Sequence, residues 1–325
     1  MTLTWTQLLE QQPASLADIA PLENSAHIIP LPQMGVLQVS GDDAVGFLQN
    51  LVTNNINALA INQGQLSGLC NPKGRLLAIF LVIRRQDYFY LILPGSMCAG
   101  LMQRLSMYIL RSNVSINEVS QQQVCLGLLP NGNNNLPLSD YPDVIFDAVD
   151  INAATVIKLP SNNGDRFLFV GSSEQATALA TDAKTQNWQL TSDAYWELSD
   201  IVSGLAMIYP ETKEDFTAQQ VNLDLVGGVS FNKGCYPGQE IVARLHYLGS
   251  PSRRMFIAQL DNCECLEIGQ DILTEDGSVA GQLVRWIKSE NGAATLLLSL
   301  KLTDYQSALV LNGQHVDLVS DTIPA

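Results

Sequence analysis

The sequence is short of charged residues, and above all of basic ones. Of its 325 residues only 15% are charged, and 17 Lys and Arg stand against 32 Asp and Glu, for a formal net charge of −15. A chain this acidic is repelled by phosphate backbones, so we expect no direct binding of duplex nucleic acid. Hydrophobic residues make up 46% of the chain, which predicts a folded protein rather than a disordered one.

Long apolar runs are also missing, and the first residues predict no secretory leader. No apolar run reaches the roughly 18 residues that span a bilayer. The segment Met1–Gln12 has no basic stretch of the kind that begins a signal peptide. We therefore expect a cytoplasmic protein without a membrane partner.

Cysteine and histidine are sparse and scattered. The cysteines lack the density of a secreted disulfide scaffold. The run Cys263-Glu264-Cys265 is the one arrangement that suggests a metal clip. A tetrahedral structural site needs four ligands, and no second Cys or His pair stands at ligand spacing, so we expect no bound metal. The residues in question are Cys70, Cys98, Cys125, Cys235, Cys263, Cys265, His27, His246 and His315.

The chain length predicts two or three domains. Residues 1–33 form a proline-rich lead-in with a short helix at Trp5–Gln11. Residues 34–120 show the order strand, helix, strands, helix, strand, which is that of a ferredoxin-like α+β layer. Residues 121–249 resemble a weaker repeat of it. In residues 250–325, close turn signals without helical segments predict a small antiparallel β-barrel.

Individual elements of the second layer follow from the same patterns. The predicted strands are Val124–Leu129, Val144–Val149, Thr155–Leu159 and Arg166–Val170, and the predicted helices are Glu174–Thr185 and Asp193–Ser203.

The stretch Lys233-Gly234-Cys235-Tyr236-Pro237-Gly238-Gln239-Glu240 places a thiol between turn residues, just before a helical run. Near a helix N-terminus the macrodipole favours a thiolate, and Lys233 is close by in sequence. Glu240 and Arg244 form an i,i+4 pair of favourable polarity. A buried, inert cysteine packed under the turn explains the same residues, and chemistry alone leaves both interpretations open.

Basic residues are concentrated between Ser230 and Arg254, where Glu240 is the only acid. A local positive patch in an acidic chain suits a small anionic ligand or a specific partner, and ordinary surface scatter is the alternative. The basic residues are Lys233, Arg244, Arg253 and Arg254.

One tryptophan lies on the polar side of its predicted helix. In the helix at Asp193–Ser203 the buried stripe includes Tyr195 and Leu198, and Trp196 lies nearly opposite. A large aromatic there predicts a cover, which is either a planar ligand, a partner or another domain.

The Lys233–Glu240 run, together with Asn222-Leu223 and Gly227–Phe231, resembles the signature of the YgfZ family. These are folate-binding proteins related to the T-protein (aminomethyltransferase) of glycine cleavage. Weaker similarity covers Gly35–Arg85 and Trp196–Pro210, so the resemblance extends over most of the chain after residue 30.

The resemblance implies an α+β fold with two ferredoxin-like layers and a small C-terminal antiparallel β-barrel, arranged around a central hole. The hole is expected to accept tetrahydrofolate or a derivative. The resemblance also implies a role in maintaining iron–sulfur enzymes, including enzymes that modify tRNA. Folate and iron–sulfur enzymes or assembly proteins are therefore the expected partners.

The same resemblance implies which residues do the work. Cys235 is the expected functional thiol, with Lys233 lowering its pKa. The basic segment suits a folate glutamate tail, and the ring of Trp196 suits stacking. The residues expected to contact the cofactor are Trp196, Met34, Asn55, Tyr236, Gln239, Glu240 and Arg244.

Three positions depart from the related patterns. Asn55 stands where T-proteins supply a carboxylate, and an amide cannot act as a general base. Val202 stands where T-proteins have a glutamate that contacts the pterin. We therefore do not expect aminomethyl transfer, although a one-carbon transferase and a non-catalytic scaffold of the same fold remain the alternatives. Met34 stands where some YgfZ members have a tryptophan, and it stacks less well than indole.

Overall fold

The structure is a computed structural model that describes residues 4–13, 25–131, 136–138, 140–162, 164–261, 263, 265–289 and 292–319. Parts of the predicted lead-in and Glu264 of the Cys-Glu-Cys run lie outside these residues. Contacts divide the chain into two compact units. Unit 1 contains residues 1–44, 59–65 and 81–199, and unit 2 contains residues 45–58, 66–80 and 200–325. The domain boundaries predicted at residues 33, 120 and 249 stay predictions.

The lead-in contains a predicted helix and a strand that was not predicted. Helix α1 (Trp5–Glu10) starts where predicted, and its N-cap Thr4 exchanges hydrogen bonds with Gln7 in a capping box. Strand β1 (His27–Pro30) is buried throughout. The prediction of an irregular segment here was wrong, because Pro30 stands at the end of the strand, where a proline does not interrupt it.

The first layer follows the predicted order of elements. Its sheet has the strand order β3-β4-β5-β2-β6. Strand β4 is buried along nearly its whole length, as expected of a strand covered on both faces. The elements are β2 (Met34–Ser40), α2 (Ala44–Gln49), β3 (Gln63–Cys70), β4 (Leu76–Arg84), β5 (Tyr88–Pro94), α3 (Gly95–Ser106) and β6 (Ser115–Glu118).

The second layer, most of which lies in unit 1, is a six-stranded sheet with its own apolar core. Its sheet has the order β11-β1-β7-β10-β9-β8, and α4 packs its apolar face on the sheet. The strand predicted at Val144–Val149 begins only at Ala148, because a turn with a positive φ of 68° at Phe146 precedes it. The elements are β7 (Val124–Leu129), β8 (Ala148–Ile151), β9 (Ala154–Lys158), β10 (Phe167–Gly171), α4 (Ser173–Thr185), β11 (Gln189–Leu190) and α5 (Ala194–Val202).

The C-terminal part of unit 2 is a closed antiparallel barrel with the order β12-β15-β14-β13-β16-β17 around an apolar core. Asn312 and Gly313 join β16 to β17 with φ of 51° and 76°, the geometry of a tight hairpin turn. The predicted α+β fold with a terminal barrel is confirmed. The elements are α6 (Gln239–Tyr247), β12 (Arg253–Leu260), β13 (Asp271–Thr274), β14 (Val279–Lys288), β15 (Ala294–Lys301), β16 (Leu309–Leu311) and β17 (Gln314–Leu318), and short 3-10 turns lie at Ile56–Ala58, Pro210–Thr212 and Ala218–Val221.

Candidate functional site

The loop that follows α2 is shaped by the last residue of that helix. Gln49 is buried, and its side-chain oxygen accepts hydrogen bonds from the backbone N–H of Ile56 at 2.7 Å and of Asn57 at 3.2 Å. A single side chain thus satisfies two loop amides and fixes the bend. We call residues 49–57 the asparagine loop.

Thr53 and Asn54 bind the asparagine loop to the rest of unit 2. The Thr53 hydroxyl donates to the carbonyl oxygen of Gly228 at 2.7 Å. The Asn54 amide donates to the carbonyl oxygens of Leu66 at 2.8 Å and Gly227 at 2.7 Å. Because both side chains are buried, these bonds satisfy groups whose burial would otherwise cost free energy.

Asn55 presents an acceptor that the loop itself does not use. Its backbone N–H donates to the Asn54 side-chain oxygen at 2.8 Å. Its own Oδ1 is buried and has no hydrogen-bond partner among the described residues. A buried acceptor without a donor costs about 1–3 kcal/mol. This oxygen therefore has acceptor capacity that no described group of the protein uses.

Lys233 is joined to the asparagine loop by its side-chain ammonium. The Nζ donates to the carbonyl oxygens of Gln49 at 2.6 Å, Val52 at 2.5 Å and Asn54 at 3.0 Å. An ammonium group has three N–H donors, so these carbonyls occupy all of them. Burial lowers the pKa of Lys233 to about 8. Its observed contacts make it a fixing point for the loop.

Tyr236 lies beneath the same segment. Its side chain is buried, and the Lys233 Nζ lies 5.0 Å from the ring centroid, within the range of a cation–π contact. Burial raises the pKa of the Tyr236 hydroxyl. Tyr236 is therefore neutral at physiological pH, and its ring packs against the ammonium of Lys233.

Cys235 lies between these two fixed residues and is exposed, as is Gly234. Helix α6 begins at Gln239, a few residues further on, and its N-cap Gly238 has a φ of 82°. A Cβ on Gly238 would stand 2.5 Å from the carbonyl oxygen of Asn71, so the turn needs glycine for both its space and its dihedral angle. The exposure of Cys235 excludes the interpretation as a buried thiol.

The start of α6 carries the remaining residues of the motif. Gln239 is half-buried, whereas Glu240 and Arg244 are exposed. The ion pair predicted between Glu240 and Arg244 is not formed within the described part of the chain. Exposed pairs of this kind contribute little, and two long side chains lose entropy when they are held together.

Three aromatic rings next to the motif were not predicted. Phe231 stacks on His246 with ring centroids 3.6 Å apart and an interplanar angle of 10°, and Tyr247 meets both rings edge-on. The stack joins the segment before Lys233 to α6. No periodic pattern signals such a pair, because its members lie far apart in the sequence.

The predicted positive patch is smaller in the structure than in the sequence. Arg254 forms a two-pronged ion pair with Asp224, with N–O distances of 2.6 and 2.9 Å. The ammonium of Lys233 is taken by backbone carbonyls. Two of the four cations of the expected local patch are thus engaged in internal contacts, which leaves Arg244 and Arg253, and binding of an anionic tail stays a prediction.

Met34 and Trp196 belong to unit 1. Met34 is half-buried at the start of β2. Trp196 is only 3% exposed: a Cβ on Gly127 would stand 2.3 Å from its ring, and the Arg166 guanidinium carbon lies 3.9 Å from the ring centroid. The cover expected from a ligand, a partner or another domain is in fact β7 and Arg166 of the same unit. Cofactor contacts by these two residues stay predictions, and stacking on Trp196 would require Arg166 to move.

The Cys-Glu-Cys run is split between two environments. Cys263 is buried and Cys265 is exposed. Burial raises the pKa of Cys263. Across the described residues, no group of three His, Cys, Asp or Glu side chains is arranged to hold a metal ion.

Comparison with known proteins places this architecture among relatives. Residues 7–132 match the family model of the GCVT N-terminal domain. The chain is 34% identical over 232 residues to the tRNA-modifying protein YgfZ of Photobacterium profundum, covering 71% of this chain and 69% of that protein. The chain belongs to the YgfZ family. YgfZ of Colwellia psychrerythraea, also named a tRNA-modifying protein, is 25% identical over 302 residues, or 91% of this chain and 89% of the relative.

Among solved structures, this YgfZ-family chain is similar in fold to the glycine cleavage system aminomethyltransferase T from Bartonella henselae. The TM-score is 0.73 at 15% identity, and the match covers 96% of this chain and 91% of that one. At that identity the likeness concerns the fold alone. Within the described residues of the YgfZ-family chain, no helix combines the length and the apolar content that crossing a bilayer requires.

Proposed function

We propose that this protein binds tetrahydrofolate or a derivative and supports the upkeep of iron–sulfur enzymes, and thereby tRNA modification, through the thiol of Cys235. The observation that carries the proposal is the buried, unpartnered Oδ1 of Asn55 on a loop that Gln49, Thr53, Asn54 and Lys233 hold in place. Membership of the YgfZ family and the match to the GCVT N-terminal domain support it.

The chemistry of a reduced pterin suits this acceptor. Its amino group and ring N–H groups are hydrogen-bond donors, and an amide oxygen can accept from them without a change in protonation. Because the loop is held by Gln49, Thr53 and Lys233 before any ligand arrives, little ordering free energy is lost on binding. The asparagine loop therefore acts as a preformed recognition element.

The same residue argues against aminomethyl transfer. A transferase of this type needs a carboxylate to handle a proton near the folate, and Asn55 has no titratable proton near neutral pH. Val202, at the end of α5, supplies none either. We propose binding of the cofactor without that transfer.

We assign the functional thiol to Cys235 because it is exposed, whereas three of the other cysteines are buried and stay protonated. Burial raises the pKa of Cys70, Cys98 and Cys125 to about 12, so these thiols stay protonated at neutral pH. Cys235 and Cys265 are the exposed ones. Of these two, only Cys235 lies on a segment that is hydrogen-bonded to the asparagine loop, and the bonds come from Lys233.

Isothermal titration with 5-formyltetrahydrofolate tests the ligand. We expect Asn55→Ala to weaken binding by about 5- to 150-fold, the equivalent of about 1–3 kcal/mol for an acceptor lost from a buried contact. Asn57→Ala, which changes an exposed asparagine of the same loop, should bind like the wild type. Absence of binding by the wild-type protein would leave a scaffold of the same fold.

Complementation tests the thiol. In a strain that lacks its own YgfZ-family protein, Cys235→Ser should restore no more of an iron–sulfur tRNA-modifying activity than the empty vector, while Cys265→Ser restores it fully. The readout is the modified nucleoside in digested tRNA, with circular dichroism of both variants as a control for folding. Full rescue by Cys235→Ser would remove this thiol from the function.

A further inference from the structure

Lys233 makes its contacts with the asparagine loop rather than with the thiol two residues away. Its three N–H donors are directed at three backbone carbonyls, those of Gln49, Val52 and Asn54. An ammonium has no further donor and no acceptor. None of its hydrogen bonds is therefore left for Cys235, and the lysine acts on the thiol through the backbone that it fixes.

The position of these bonds connects the two halves of the site. Lys233 lies two residues before Cys235 in the chain, and the Asn54 carbonyl lies in the peptide group that leads to Asn55. One ammonium group thus restrains both the segment with the exposed thiol and the segment with the unpartnered acceptor. Gly227 and Ser230 also bond to the asparagine loop, but both lie earlier in the chain. Among the described contacts to the loop, that of Lys233 is nearest to Cys235.

All three hydrogen bonds of the Lys233 ammonium end on backbone carbonyls of the asparagine loop. The hydrogen bonds to Gln49 and Val52 are 2.6 and 2.5 Å, whereas the bond to Asn54 is 3.0 Å. The Asn54 side chain also donates to the carbonyl oxygens of Leu66 and Gly227, so this residue joins Lys233 to the rest of the loop's contacts. A ligand that donates to the Asn55 Oδ1 would act on the residue that shares this peptide group with the Asn54 carbonyl.

We infer that Lys233 is a positioning residue that couples occupancy of the Asn55 acceptor to the reactivity of Cys235. Ligand binding shifts the Asn54–Asn55 peptide, the ammonium follows the carbonyl, and the segment of Cys235 is held more rigidly. The inference rests on the proposed function for the identity of the ligand, but the coupling itself is a property of the two segments.

The alkylation rate of Cys235 measures this coupling. Iodoacetamide labelling is followed peptide by peptide with mass spectrometry, without and with saturating 5-formyltetrahydrofolate. We expect the ligand to slow labelling of Cys235 in the wild type by about 5-fold or more, the range of typical couplings between sites. Exposed Cys265 is the internal reference and should label at the same rate in both samples.

Lys233→Met separates coupling from simple shielding. It keeps most of the apolar stem and removes every donor. The ligand should bind more weakly, because the asparagine loop is less well held, but at saturation it should no longer slow the labelling of Cys235. Lys233→Gln retains two donors and should give partial protection. Equal protection in the wild type and Lys233→Met would overturn the inference, because the ligand would then merely cover the thiol. Binding without protection in the wild type would overturn it as well.

A measurement on the wild type without ligand keeps the test independent of the variants and of the proposed function. Because coupling is reciprocal, carbamidomethylation of Cys235 should alter hydrogen exchange at the backbone amides of residues 54–57. Unchanged exchange there would overturn the inference. If exchange changes but the protein binds no folate, the proposed ligand is wrong and the coupling between the two segments is still supported.

Discussion

At the scale of single residues, the buried ammonium of Lys233 gives the stability of the protein a dependence on alkaline pH. Burial lowers its pKa from 10.5 to about 8. Between these values the unfolded chain binds the proton and the folded chain does not. The free energy of unfolding therefore rises with pH from about 8 to 10.5, and below pH 8 the contribution is constant. We expect the urea midpoint of the wild type, minus that of Lys233→Met, to increase over this range.

The difference between the two proteins is the informative quantity. Every other titrating group is shared, so its contribution cancels in the subtraction. Urea unfolding followed by circular dichroism at several pH values from 7 to about 10.5 gives the comparison. A difference that stays flat or falls as the pH rises would contradict the buried environment of this ammonium.

Single-residue chemistry was only partly predictable from the sequence. The motif singled out Cys235, and its exposure agrees with a reactive thiol. The partners of Lys233 could not be foreseen, because they are backbone carbonyls distant in the sequence and carry no side-chain signal. Trp196 shows the opposite case: the helical period placed it on a polar face opposite the buried stripe, but that face is itself buried, and Trp196 packs against Gly127 and Arg166.

At the scale of elements, two glycines give opposite responses to the same substitution. A Cβ on Gly127 in β7 would stand 2.3 Å from Trp196, whereas a Cβ on Gly100 in α3 meets nothing within 4 Å. Gly127→Ala overpacks the sheet against α5 and should destabilise the protein by about 1–3 kcal/mol. Gly100→Ala removes backbone freedom from a helix interior and should stabilise it by about 0.5–1 kcal/mol.

Thermal unfolding of both variants beside the wild type checks the pair. The two melting temperatures should move in opposite directions, and tryptophan fluorescence should change in Gly127→Ala but not in Gly100→Ala. A neutral Gly127→Ala would mean that Trp196 has room to retreat from β7. It would then also be free to leave Arg166, which would strengthen the prediction that this ring contacts a cofactor.

The elements themselves were predicted best where the pattern is long and local. Strand β7 has the predicted bounds, and α4 differs from its prediction by one residue at the start. Strand β1 was missed because four buried residues show no alternation, and its place in the sheet comes from pairing with β7 and β11. Short strands of this kind are defined by their neighbours rather than by their own sequence.

At the scale of the whole molecule, negative charge dominates and much of the positive charge is used internally. Asp224 pairs with Arg254, and buried Asp200 lies 3.0 Å from Arg285 in unit 2. In unit 1, Lys158 pairs with Asp165 at 2.8 Å. With a formal net charge of −15, few cations remain to attract phosphate groups. We therefore expect no direct contact with RNA, and propose that an effect on tRNA passes through the enzymes that modify it.

That argument predicts the outcome of a direct binding experiment. We expect fluorescence anisotropy of labelled bulk tRNA to reveal no complex tighter than about 10⁻⁴ M at 150 mM salt, the weak limit of non-specific binding. A basic tRNA-binding protein of similar size is the positive control. Micromolar binding with a steep dependence on salt would contradict the prediction, because several Lys or Arg residues would then contact phosphates. Such a result would place RNA itself among the ligands, and a folate-linked thiol would no longer be the only route to a tRNA-modification phenotype.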